Sequence, residues 1–197
     1  MIPPVIALYL SVAVLVISLC MLAAANGTVM LKHGFGASTT EIGVWRTCEA
    51  TADGGEKCYS VTSNSQCSEL SSRMKAVGAF SILGIVSTIL CVVAFVVESR
   101  GVTFPVNHLT KAIFAWAVVL TVVCIAVCIG TLVASLCSDP LPMTDRNGSF
   151  GTGFYFLFAA IVLQVVGGAA YAFFRLKHNP TADNDDHDDK EDGFNDL

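Results

Sequence analysis

Four stretches of this chain contain no Asp, Glu, Lys, Arg or His at all: residues 3–25, 76–97, 112–136 and 150–174. Charge is scarce throughout, at 14% of residues, where a soluble domain carries about 25%. About 20 apolar residues suffice to cross a hydrocarbon core of ~30 Å, so each stretch is long enough to span a membrane. The missing intramembrane charges also exclude a class of function. Pumps, proton relays and voltage sensors need ionisable groups at membrane depth, and these spans offer none.

Catalytic signatures are missing too. The chain has no HExxH, Walker loop, GxSxG or CxxC knuckle, and His33, His108, His178 and His187 are dispersed. Cys124 and Cys128 lie in an apolar run without a nearby histidine, so they read as small packing residues, as do Cys20 and Cys91. The acidic run from Asp183 to Asp192 lacks the spacing and the sixth-position glycine of an EF-hand. The expectation is a membrane protein that is not an enzyme, with no cofactor, no metal and no nucleic-acid partner.

The expected organisation is a four-span membrane domain over residues 1–178 and an acidic, disordered cytoplasmic tail over 179–197. The net charge of −5 belongs to that tail, where eight acidic residues stand against Lys190 alone. Ala23-Ala24-Ala25 would pass as a signal-peptide cleavage site. The first run nevertheless has no preceding basic residue and exceeds an ordinary signal core, so it is read as an uncleaved span.

The connections are unequal: outer loops over 26–75 and 137–149, with a short one between them on the other side. Lys and Arg divide almost evenly between the two sides and do not orient the chain. Two other signals do. The sequons at Asn26 and Asn147, candidate N-glycosylation sites, fall in the first and third loops, and so do Cys48, Cys58, Cys67 and Cys137. Four cysteines allow three pairings. The expected set is Cys48–Cys58 and Cys67–Cys137, in an oxidising compartment. Both termini are then cytoplasmic, at the plasma membrane. Weak alternation around residues 41–45 and 57–62, with Asp53-Gly54-Gly55 between, predicts a β-hairpin clasped by the cysteines. From about Cys67 the chain has no breaker, so the second helix starts before its apolar run.

Within the spans, Gln164 is the one strongly polar side chain and is read as an interhelical hydrogen-bonding group. Ala126, Gly130 and Ala134 recur at four-residue intervals, and Gly167, Gly168 and Ala172 follow in the last span. Small residues so spaced let helices approach closely, within the bundle or in self-association through Ala126, Gly130, Ala134, Gly168 and Ala172.

The element Gly43-Val44-Trp45-x2-Cys48-x9-Cys58, following a first span, resembles the first-loop motif of the claudin and peripheral-myelin group of tetraspan proteins. Other passages resemble amastins, surface glycoproteins of trypanosomatid parasites. Cys67 leads into a basic stretch and the Ala79-Phe80-Ser81-Ile82 run, and Phe150-Gly151-Thr152-Gly153-Phe154 opens the last span. The chain departs from the stricter amastin pattern, with Glu41 where a cysteine belongs and Cys48 three residues after Trp45. The resemblance is to a divergent amastin-like protein. It implies an all-α membrane protein: a left-handed four-helix bundle with a small extracellular β-sheet mainly from loop one. Trp45 then packs between sheet and outer leaflet. It also implies a surface role in contact with host membrane through an unknown ligand. The alternative is claudin-like adhesion or ion permeability. The Asn195-Asp196-Leu197 end lacks the Tyr-Val that claudins offer to PDZ domains.

Overall fold

The computed structural model describes residues 4–35, 38–50, 54–61, 68–99, 107–134 and 148–178. Four helices dominate it: α1 (Pro4–Gly27), α2 (Ser68–Ser99), α3 (Asn107–Val133) and α4 (Thr152–His178). Each is long and apolar enough to cross a membrane. The apolar runs form helices because a bilayer leaves backbone N–H and C=O groups no partner outside the segment. Side chains such as Leu83, Val86, Leu90, Val119, Phe158 and Val165 are about half exposed on the outer faces. That surface suits hydrocarbon and not water. The chain is therefore a multi-pass membrane protein.

Five strands make one antiparallel sheet in the order β4-β3-β2-β1-β5. They are β1 (Val29–Phe35), β2 (Ser38–Gly43), β3 (Arg46–Ala50), β4 (Glu56–Ser60) and β5 (Ser149–Phe150). β1 leaves α1 directly and β5 leads into α4, so α1 runs toward the sheet and α4 away from it. The ends Pro4 and His178 thus lie at the end of the bundle opposite the sheet.

α4 starts at Thr152, not at residue 150 as its apolar run suggests, because Phe150 is held extended opposite Leu31 of β1. Gly151 N–H then donates to Met30 O at 2.7 Å. A Cβ on Gly151 would come within 2.3 Å of Val29 O, and one on Gly153 within 3.0 Å of Ala25 O. Only glycine lets the chain pass this close between sheet and helix. The two glycines of the Phe150–Phe154 passage are therefore a packing requirement, and Phe150 stacks on Phe154 at 3.8 Å beside them.

One buried cluster runs from the bundle into the sheet through Leu22, Met30, Leu31, Ile42, Val44, Val61, Met74, Cys128 and Leu157. Toward the other end, Phe95 and Tyr171 stack at 3.8 Å against Leu15. Gln164 sits between three helices, 1% exposed. Its Nε2 donates to Thr88 Oγ1 of α2, and its Oε1 accepts from Thr121 Oγ1 of α3, both at 3.2 Å. The expected interhelical role of Gln164 is what the structure shows.

The small residues divide differently from the expectation. Gly168 is buried, and a Cβ there would overlap the Phe114 ring of α3 at 2.2 Å. It is closed off by contacts within the chain and is not on a self-association surface. Ala126 and Gly130 are exposed, Ala134 half-buried and Ala172 exposed. The α3 stripe is thus no packing face of the bundle, because four-residue spacing defines a stripe without saying which way it turns.

Candidate functional site: the stapled sheet and its cleft

Cys48 and Cys58 stand directly opposite each other on β3 and β4 and are joined as a disulfide. Gly54 adopts a positive φ of 79° in the connection between these strands, a conformation that suits glycine. The hairpin predicted from sequence thus exists, but its first strand is β3 and not residues 41–45. Those residues are the end of β2 and the two-residue turn Val44-Trp45 into β3.

That turn fixes the sheet to the bundle. Val44 is buried, whereas Trp45 is 52% exposed. A Cβ on Gly78 of α2 would meet Val44 Cγ1 at 2.8 Å and Trp45 Cη2 at 3.2 Å, so the absent side chain of Gly78 makes the seat for both. The ring of Trp45 lies against a spanning helix with one side open. Tryptophan is favoured at that depth, where an apolar ring meets the polar interface. Trp45 O accepts from Val61 N–H at 3.1 Å, and Val61 O accepts from Ser71 Oγ at 2.8 Å. The motif turn, the end of β4 and the first turns of α2 are thereby tied in series.

Two ion pairs brace the arrangement. Lys32 and Glu41, cross-strand partners on β1 and β2, meet at 2.7 Å. Arg73 reaches Glu69 at 2.9 Å and donates to Gly130 O at 3.1 Å. A cation at the last turn of α3 is favourable, since the final carbonyls carry the negative end of the helix dipole. Exposed Gly130 is where this guanidinium approaches.

A cleft of about 530 Å³ lies beside the motif. Its walls include Asn26 from the end of α1, Thr28 between α1 and β1, Glu41, Trp45, Arg46 and Glu56, with the disulfide among them. Glu56 and the two cysteine sulfurs lie within 4.8 Å of one another, a ligand-like cluster. The sulfurs are bonded to each other, so they do not offer a thiolate pair to a metal.

Asn26 belongs to the last turn of α1, not to a free loop. Its Nδ2, the atom that a glycan would occupy, donates to Leu22 O at 3.0 Å and Ser81 Oγ at 2.7 Å. The Thr28 hydroxyl donates back to Ala24 O at 3.0 Å. In the folded chain the first sequon is thus a helix end. Asn147, Cys67 and Cys137 lie outside the described residues, and so does the acidic segment 179–197. Cys91, Cys124 and Cys128 are buried and Cys20 is exposed.

Sequence reasoning picked out Gly43, Val44, Trp45, Cys48 and Cys58, and the structure brings them together. It missed Gly78, whose only signal was a glycine within the second apolar run, and Arg73, whose partner is 57 residues away. No curated protein matches the chain significantly. The family model of the amastin surface glycoproteins matches residues 15–170, more than three quarters of the chain, and the chain belongs to that family.

Proposed function

We propose that this protein resides in the plasma membrane with both termini cytoplasmic and acts, without catalysis, as a surface interaction protein in contact with a host membrane. The observation that carries this reading is the Cys48–Cys58 disulfide, placed on a sheet at one end of the bundle. A disulfide persists on the oxidising side of a membrane, and family membership agrees with surface display. Glu49, Lys57 and Tyr59 are exposed on the β3–β4 hairpin and form the recognition face. Pore formation, the claudin-like alternative, has less support: Lys32 and Glu41 neutralise each other across the sheet and define no charge preference.

The test compares attachment to mammalian cells by cells displaying the full chain or a variant with Glu49, Lys57 and Tyr59 replaced by alanine. A severalfold loss of attachment in the variant is expected. Equal attachment, together with a reproducible ion-selective conductance in planar bilayers, would overturn the reading in favour of the alternative.

A further inference from the structure

Arg46 and Glu56 bear opposite charges on one face of the sheet without pairing. Alternate strand residues share a face, so Arg46 accompanies Cys48 on β3 and Glu56 accompanies Cys58 on β4. The register sets Arg46 opposite Ser60 and Glu56 opposite Ala50, with the disulfide pair between. Four residue steps separate them along the strands, roughly 13 Å between backbones. Among the described residues neither enters an ion pair, although Lys32–Glu41 and Arg73–Glu69 do. Both line the cleft, as does Glu41. Glu41 is level with the disulfide and is taken by Lys32. The cleft thus has a free cation at one end and a free carboxylate at the other, which matches a ligand that carries an anion and a cation a few ångströms apart.

The position of the cleft points to the ligand's source. Asn26 and Gly27, in its wall, are the last residues of the first candidate span. Trp45, also in the wall, rests against Gly78 within the second span. The cleft thus lies where spans end and lipid headgroups begin. We propose that it binds the zwitterionic headgroup of a phospholipid of the same bilayer, with the phosphate on Arg46 and the ammonium on Glu56. Arginine matches the geometry of a phosphate, and an ammonium in the carboxylate end completes the charge balance. The proposal needs only the bilayer that the spans require, and it holds whichever side the sheet faces and whatever the host contact.

The experiment uses native mass spectrometry of the full-length protein released from non-ionic detergent. Phosphatidylethanolamine, phosphatidylcholine and phosphatidylglycerol of matched acyl chains are titrated in turn, and soluble phosphoethanolamine is added as competitor. One phosphatidylethanolamine per chain should be retained about tenfold more strongly than phosphatidylglycerol, the scale of one charge-assisted hydrogen bond. Phosphatidylcholine, which has the charge but no N–H to donate, should fall between them. Glu56→Gln should erase that preference, and Arg46→Gln should weaken retention of all three lipids. Lys111→Gln, at an exposed residue near the start of α3 and away from the cleft, should leave the preference unchanged. Unchanged helical circular dichroism and an intact disulfide show that the variants fold; the wild-type preference is a test that needs no variant. Equal retention of the three lipids overturns the proposal, and so does retention unaltered by Arg46→Gln and Glu56→Gln. Competition by soluble phosphoethanolamine at the lipid's own concentration overturns the lipid as source.

Discussion

The bundle and the sheet of this protein solve opposite problems. In the bundle, hydrocarbon surrounds the helices, and polar groups turn inward: Gln164 finds Thr88 and Thr121, and Ser18 donates to Ala160 O at 3.0 Å. In the sheet, water is available and charge is kept outside, as with Lys32, Glu41, Arg46 and Glu56, while Ile42 and Thr47 are buried. The bundle is held by close helix contact, which glycines make possible. The sheet is a single layer without a core of its own, since its buried apolar residues belong to the cluster it shares with the helices. Its outer β3–β4 hairpin would be marginal alone. A covalent bond and a seat on the helix ends supply what its strands lack. The lesson is that the first-loop motif joins two structures: Val44 and Trp45 anchor the sheet downward and Cys48–Cys58 closes it outward.

The largest effect should come where the two regions meet. Gly151→Val places side-chain atoms against the Val29 carbonyl, a backbone group that cannot step aside. The expected cost is on the order of 3 kcal/mol or more, the upper range for overpacking. Thermal unfolding in detergent should show both regions destabilised together. Replacing both Cys48 and Cys58 by serine should separate them. A loop this short gives a loss of about 2–3 kcal/mol in the chain-entropy account. Hydrogen exchange should accelerate in β3 and β4 and stay unchanged in the helices.

Smaller effects sharpen the contrast. Gln164→Leu removes one interhelical polar contact from a site that tolerates an apolar group, so the expected loss is about 0.6 kcal/mol. It should appear in bundle unfolding without altering sheet exchange. Lys32→Ala should cost least, about 0.2–1 kcal/mol for an exposed pair. That loss should shrink with added salt, whereas the effect of Gln164→Leu should not. Equal salt sensitivity of the two variants would contradict this difference between bundle and sheet.

What the sequence makes legible follows the same division. The helices were readable because an uncharged run of this length has one stable conformation in lipid. The stapled hairpin was readable from two cysteines and a Gly-containing turn. β1 was not, because Met30 and Leu31 are adjacent and both buried, and a register shift between Val29 and Leu31 breaks the alternation that marks a strand. β5 has two residues and exists only because β1 offers its edge. Trp45 looked like a strand residue because turns of two residues leave little signal between strands. Small residues at the same spacing have different surroundings even on one helix, since Gly168 faces Phe114 while Ala172, like Gly130 of α3, is exposed. Spacing gives a stripe; only the neighbouring helices decide what covers it.

The central claim is that the disulfide-closed sheet lies outside the cell and the termini inside. An epitope inserted after Gly54, in the turn between β3 and β4, and a second epitope after Leu197 test it in one cell line. Antibody should reach the Gly54 epitope on intact cells and the C-terminal epitope only after permeabilisation. A C-terminal epitope exposed on intact cells, with the Gly54 epitope hidden, would contradict the account.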